Sequence, residues 1–225
     1  MSRVLPILFN TEMVQGILRE PPNNKTVTRR AIKGYIPNDA IWGYTEFTPK
    51  GYISCRGTFA DGYGEKFFKL PCCPDDVLYV RETWNFVYDM DGSDQIVEDT
   101  GRYIYYADDP MPFSEWIDTN TGEHKEYMPW RPSIHMPKAA ARIWLKVMDV
   151  RVERLREITP EDAWKEGARC LCMHPVPDCA GNKTEFIKIW DSTIKKADID
   201  RYGWGTNPWV WVIEFERCEK PESEV

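Results

Sequence analysis

The stretch that decides the fold reads Arg142-Ile143-Trp144-Leu145-Lys146-Val147-Met148-Asp149-Val150-Arg151-Val152. Ile143, Leu145 and Val147 fall on odd positions, whereas Val150 and Val152 fall on even ones. A strand shows one face with a period of two, so this is a long strand with an internal fault. A β-bulge near Met148-Asp149 restores the inward face, and bulges of this kind bend the strands of small barrels. Toward the C-terminus, Trp209-Val210-Trp211-Val212-Ile213-Glu214-Phe215 is a second strand with aromatics at 209, 211 and 215 on one face. Toward the N-terminus, Val77-Leu78-Tyr79-Val80-Arg81-Glu82-Thr83-Trp84 reads as a strand whose period places Glu82 among Leu78, Val80 and Trp84 on the apolar side.

The remaining elements follow from turn and cap chemistry. Val4 to Phe9 is an apolar run of strand length, and Asn10 or Thr11 caps a helix striped by Met13, Val14, Ile17 and Leu18. Pro21-Pro22-Asn23-Asn24 stops that helix. Residues 52–70 read as a hairpin around Asp61-Gly62. Thr159-Pro160-Glu161-Asp162 starts a short helix that Gly167 ends, and Thr184 to Lys196 forms another with Phe186, Ile187, Trp190 and Ile194 in its stripe. Four or more strands with three or so short helices predict an α+β fold, a small mixed β-barrel or curled sheet. No Gly-rich loop joins a strand to a helix, which excludes Rossmann and P-loop readings.

The chain has 225 residues, enough for one domain with a large insertion. No apolar stretch approaches the roughly 20 residues of a membrane helix, so a soluble, cytoplasmic protein without a membrane partner is expected. Seven cysteines, an odd number in a chain too large to need staples, read as reduced thiols. The formal charge of −7 argues against coating duplex nucleic acid. Its distribution is uneven: residues 85–127 carry −9, while residues 1–35 and 136–156 each carry +4. The acidic block lacks periodicity apart from a hairpin at Tyr103-Ile104-Tyr105-Tyr106, and so reads as a surface insertion contributing little core.

Several strings carry a resemblance. They are Pro6-Ile7-Leu8-Phe9 ahead of a helix with Met13, Val14 and Ile17; Lys25-Thr26-Val27-Thr28-Arg29-Arg30; Leu78 to Trp84; Trp130-Arg131-Pro132-Ser133-Ile134-His135-Met136-Pro137; and Asn207-Pro208-Trp209-Val210-Trp211-Val212. Together they resemble the ASCH-domain proteins of phages and prophages, within the PUA-like superfamily. The resemblance implies a single domain over 1–220, with 85–127 and 168–183 as variable parts and 221–225 as a tail. It also implies a PUA-like barrel with a helix-lined cleft, no cofactor, and recognition of RNA or modified bases. One bacterial branch removes the acetyl group from N4-acetylcytidine, and its Lys, Thr, Arg and distant strand Glu match Lys25, Thr28, Arg30 and Glu82 in order. This chain departs from that minimal enzyme in its greater length and its acidic insertion, which leave the substrate open.

Amide hydrolysis needs a nucleophile, a base and a group that handles the leaving amine. Thr28 is the candidate nucleophile. Lys25 is the candidate base if burial beside Arg29 or Arg30 disfavours its ammonium form, and the pair requires a turn at 25–28. Glu82, on an apolar face, should have a raised pKa suited to protonating the amine, with Arg30 binding the substrate. The same four residues also read as a solvated basic loop and a buried partner for Arg30 or Arg81. Trp84 and Trp130 suit stacking on a base or a place in the core, and His135 suits the cleft or a structural hydrogen bond. Cys170, Cys172, His174 and Cys179 offer four zinc-type ligands at an unusual spacing, or a variable loop of reduced thiols. Three functions remain open: a pyrimidine-nucleoside amidohydrolase, a non-catalytic single-stranded RNA-binding module of phage or prophage origin, and an assembly factor using the fold as a scaffold.

Overall fold

The bulge falls where the alternation breaks. In a computed structural model of the chain, Val147 pairs with Phe215 and Asp149 with Glu214, leaving Met148 as the extra residue of its strand. The structure describes residues 2–222 apart from 90, 92, 94–96, 98, 99, 114, 115, 118–122, 126 and 127. The acidic middle block and the tail therefore lie partly outside the described residues.

In chain order the elements are β1 (Val4–Leu8), α1 (Thr11–Leu18), β2 (Val27–Ala31), β3 (Ile41–Gly43), β4 (Tyr52–Phe59), β5 (Gly62–Lys69), β6 (Val77–Arg81), β7 (Trp84–Val87), β8 (Arg102–Tyr105), β9 (Trp116–Ile117), β10 (His124–Lys125), β11 (Trp144–Arg154), α2 (Pro160–Lys165), α3 (Ala180–Thr193), α4 (Ile199–Tyr202) and β12 (Trp209–Cys218). The fold is mixed α+β, mostly sheet. Five strands form one sheet in the order β1-β6-β11-β12-β2, in which only the β1–β6 pair is parallel. β3, β4 and β5 form an antiparallel meander, while β7–β8 and β9–β10 are two-stranded ladders.

The five-stranded sheet is covered on both faces, which explains why β12 reads as an unbroken apolar run rather than a clean alternation. On one face Val80, Leu145, Val147, Ile213 and Phe215 pack with Phe9, with Val14 and Ile17 of α1, and with Ile53 of β4. On the other, Val27, Val210 and Val212 pack with Leu155, Ala163 of α2, and Phe186 and Trp190 of α3. Trp42 of β3 ties the meander to the sheet, its ring 5.2 Å from Phe68 and 5.8 Å from Trp209. The edge strands β1 and β2 share no ladder among the described residues. Instead Arg30 Nη2 of β2 donates to the Leu8 carbonyl of β1 at 2.7 Å, so a side chain spans the gap between the two edges of a curled sheet.

The helix caps follow the sequence: Asn10 Oδ1 accepts from the Met13 N–H at 2.9 Å, and Thr159 Oγ1 accepts from the Asp162 N–H at 3.1 Å with Pro160 next. Two expectations are corrected. The strand expected over 77–84 ends at Arg81, because the Trp84 N–H and carbonyl turn away to bridge Arg131 at 3.1 and 2.9 Å. Glu82 is buried in the joint between two strands. The acidic block is also not loosely attached at its roots. Phe86, Tyr103 and Tyr105 pack around Trp84, Met136 and Ala140, Ala107 joins the main core, and Gln15 of α1 donates to the Ala107 carbonyl at 3.0 Å. Among the described residues, no helix is long and apolar enough to cross a membrane.

Deleting Met148 leaves the in/out alternation of β11 intact while removing the bend, so its effect isolates the bulge. The deletion should cost about 2 kcal/mol or more, a fall in melting temperature of several degrees, since about 1 kcal/mol shifts a domain of this size by 2–4 °C. Met148→Lys, at a side chain that is 47% exposed, should melt within a degree or two of wild type. Equal melting temperatures for deletion and wild type would show that the bend carries no stability.

Candidate functional site

The candidate site gathers around Lys25, which arrives from the loop after α1 and enters β2. Its N–H bonds to the Gly16 carbonyl at 2.8 Å, and its stem lies between two glycines: a Cβ at Gly16 would stand 3.4 Å from Lys25 Cβ, and one at Gly167 3.6 Å. Gly167 also has φ +92°, a left-handed conformation suited to closing α2. The ammonium is 99% buried and donates to Glu166 twice, to the carboxylate Oε2 at 2.6 Å and to the backbone carbonyl at 2.7 Å. Burial pushes the Lys25 pKa down, and Glu166 only partly offsets this.

Extended backbone separates β2 into two faces. Val27, Arg29 and Ala31 face the helices, where Arg29 reaches Glu166 at 3.3 Å, Glu153 at 3.0 Å and Asp162 at 3.5 Å. Thr28 and Arg30 take the opposite face, that of their partners Ile213 and Trp211. The backbone from Lys25 to Ala31 contains no turn, so Lys25 and Thr28 are not brought together, and Lys25 is hydrogen-bonded to Glu166 instead. Thr28 Oγ1 is fully buried and finds no hydrogen-bond partner.

Phe9 is the shared neighbour of two of the four motif residues. Its ring centre lies 5.2 Å from the Arg30 guanidinium and 6.0 Å from Lys25 Nζ, and its N–H donates at 3.1 Å to the carbonyl of Arg81, next to Glu82. Glu82 is held by Arg142 through two parallel bonds of 3.0 Å, and Arg142 also reaches Asp108 at 2.6 Å. Burial raises the Glu82 pKa, opposed by Arg142. A small cavity of about 30 Å³ is lined by Lys25, Arg29, Arg30, Glu166, Phe186 and Trp190. Met13, Glu166 and Ile189 form a wall it shares with a groove of about 330 Å³ between α1 and α3, a size used by small-molecule sites.

Thr28 and Glu82 line neither the cavity nor the groove, and the other sequence candidates also lie elsewhere. Trp84 is 95% buried, with Tyr103 at 5.7 Å and Arg131 at 5.2 Å from its ring, so stacking on a base would require that cluster to open. Trp130 is half-buried, bonds to the Pro110 carbonyl at 3.0 Å, and meets Tyr106 edge-on at 5.4 Å. His135 is exposed in a short 3₁₀ turn. Cys170, Cys172 and Cys179 converge, while His174 is exposed on the same loop.

Glu166, Arg142 and Asp108 were missed by the sequence reading as members of the site. Glu166 had a signal: it closes α2 at the negative end of the helix dipole, where a carboxylate is unfavourable unless a cation sits beside it. Comparison with protein-family models, with curated proteins and with solved structures finds no match to the chain.

Removing Glu166 strands the buried Lys25 ammonium, whereas Arg29 keeps Glu153 and Asp162. Glu166→Ala should therefore cost about 3–5 kcal/mol, read as a large drop in melting temperature, while Lys25→Met/Glu166→Leu should recover much of that loss because no unpaired charge remains. A double variant no more stable than Glu166→Ala would assign the loss to packing rather than charge.

Proposed function

We propose that the chain is a PUA-like, ASCH-type protein whose cleft takes a pyrimidine nucleoside and removes an acyl group from its N4. The observation that carries this reading is the Thr28 hydroxyl. A buried hydroxyl without a hydrogen-bond partner costs about 1–3 kcal/mol, and the group is retained here on the strand face that also carries Arg30. Such a hydroxyl is free to attack, and Arg30 supplies a cation for the oxyanion.

In this mechanism Lys25 first passes its proton to Glu166, 2.6 Å away, which leaves the neutral amine that burial favours. The amine then takes the Thr28 proton as Oγ1 attacks the acyl carbon. Collapse of the tetrahedral intermediate breaks the carbon–N4 bond, and the departing amine takes a proton from Glu82. Water then hydrolyses the acyl–Thr28 ester. Lys25 returns its proton to Thr28 Oγ1, one water proton restores Glu82, and the acid leaves as a carboxylate with its proton released to solvent. Glu166 hands back to Lys25 the proton it took. Binding must draw Lys25 from Glu166 toward Thr28, which makes the closing of the cleft part of the reaction.

The distribution of cations favours a small ligand over a nucleic-acid backbone. Lys25 and Arg29 are committed to Glu166, Arg3 to Asp76 at 2.5 Å, Arg142 to Glu82, and Arg151 to Glu153 and Glu214 at 2.6 Å each. These five of the twelve cations in the two basic segments are thus paired with carboxylates of the fold, which leaves fewer of them for phosphate recognition at the surface.

The test is mass-spectrometric detection of cytidine released from N4-acetylcytidine. Thr28→Val should abolish release yet melt no lower than wild type, because the hydroxyl it removes makes no hydrogen bond. Cytidine binding should stay within a few-fold, since a lost nucleophile removes transition-state stabilisation alone. Glu82→Gln should slow release by about 100-fold or more. Near-normal turnover in Thr28→Val would replace the covalent route by attack of water. No turnover by wild type, with salt-dependent single-stranded RNA binding that Trp130→Ala weakens, would replace the enzyme by an RNA-binding module.

A further inference from the structure

The variable loop between α2 and α3 brings three thiols together. The Sγ atoms of Cys170, Cys172 and Cys179 all lie within 4.8 Å of one another, with Cys172 and Cys179 at 4.0 Å. Around a tetrahedral zinc ion, with Zn–S near 2.3 Å, neighbouring sulfurs stand about 3.8 Å apart. The cluster is thus within about 1 Å of a zinc geometry, whereas a disulfide needs its two sulfurs at about 2.05 Å.

The scaffold holding the thiols is specific. Asn182, fully buried in the first turn of α3, accepts from the Cys170 N–H at 2.9 Å and donates to the carbonyls of Val176 and Pro177 at 2.8 and 2.9 Å. One amide thereby fixes the buried end of the cluster and the far side of the loop. Gly181 permits the approach, since a Cβ there would stand 2.6 Å from Cys170 Cβ and 3.6 Å from Cys179 Sγ. Cys179 is the N-cap of a 14-residue helix, so its sulfur stands at the helix's positive end. Cys170 is buried, Cys179 half-buried and Cys172 exposed, so the cluster is anchored inside and open on its solvent side. His174 is exposed on that same loop, two residues after Cys172.

We infer that Cys170, Cys172 and Cys179 bind one structural zinc ion as thiolates, with His174 as the fourth ligand. Soft sulfur donors in a tetrahedral set select zinc among the abundant divalent ions, and Cys₃His is a closed structural set rather than a catalytic one. Binding releases the thiol protons to solvent and clamps the loop onto the start of α3. It also gives a purpose to a loop that exposes Leu171 and Met173 and packs little apolar surface of its own.

The experiment uses the full-length chain, purified in reductant without a metal-affinity tag. Elemental analysis should find about one zinc per chain. After zinc removal, cobalt(II) titration should saturate at one equivalent, with thiolate-to-cobalt charge-transfer absorption and the intense visible bands of a tetrahedral site. Cys172→Ser changes an exposed side chain and should keep the fold by circular dichroism, yet weaken zinc binding by about 100-fold or more, beyond the 10–100-fold typical of an outer-shell partner. Cys218→Ser should leave zinc binding unchanged. His174→Ala should weaken it at least 10-fold, and an unchanged affinity would overturn His174 as the fourth ligand. Zinc-free protein that gives no cobalt charge-transfer band, or a Cys172–Cys179 disulfide found by mass spectrometry under reductant, would overturn the site.

Discussion

A lysine ammonium cut off from water has to find its counter-charge inside the protein, and the way this chain meets that demand organises much of what surrounds it. Glu166 offers Lys25 both a carboxylate oxygen and a backbone carbonyl, so two of the three ammonium protons are placed by a single residue. The same carboxylate accepts from Arg29, which continues to Glu153 of β11. Edge strand β2, the end of α2 and the long strand β11 are therefore tied by charge as well as by apolar packing. Such a network is costly to desolvate and gains stability only when complete, which makes it a specificity device more than a source of strength. A Cβ at Gly16 or Gly167 would only touch the lysine stem at ordinary contact distance, so the glycine at 167 answers to its left-handed backbone at φ +92° rather than to crowding.

The second consequence concerns where charge is left over. In sequence the chain divides into two basic segments around an acidic block, a pattern that invites a reading in terms of nucleic acid. In three dimensions Arg142 joins the second basic segment to the acidic block, and other basic residues find partners elsewhere in the fold. Arg142 bridges Glu82 and Asp108, and its guanidinium lies 3.9 Å from the centre of the Tyr105 ring. Lys146 meets Asp75 at 2.9 Å, and Arg154 bonds to the carbonyls of Asn207 and Asn38. Of the motif residues, Arg30 keeps the greatest freedom toward a ligand. Its partner is a neutral carbonyl across the sheet edges rather than a carboxylate.

Local rules explain what the sequence revealed. A parity change along a strand is an arithmetic fact, so the bulge at Met148 was legible from apolar positions alone, as were the Asn10 and Thr159 caps, the 52–70 hairpin and the short helices. The errors lie where a distant contact overrides a local period. Nothing in Leu78 to Trp84 announces that Arg131, almost fifty positions away, captures the Trp84 backbone and ends the strand before Glu82. The start of α3 at Ala180 rather than near Thr184 has a similar origin, because Asn182 and Gly181 are poor helix formers kept helical by their contacts with Cys170. Of the motif set, Glu82 is buried as period two suggests, but in the joint after β6 rather than on its face. The environment of Lys25 was not legible, because its partner Glu166 comes from a helix end 141 positions later.

Helix α3 is where these separate features meet. Its first turn is fixed by the thiol loop through Asn182, and its middle presents Phe186, Ile189 and Trp190 to the cavity beside Lys25 and Arg30. Its last turn is held from the other side, where the Trp190 indole N–H donates to the Tyr202 carbonyl at 2.8 Å and Asp191 accepts from the Trp204 N–H at 2.8 Å. A helix pinned at both ends can only shift as a unit, so whatever sets the position of its N-terminus also sets the width of the groove against α1. The loop and the cleft are then not independent modules. The thiol loop at one end of α3 and the cavity wall shared with Lys25 and Arg30 are thus parts of one helix.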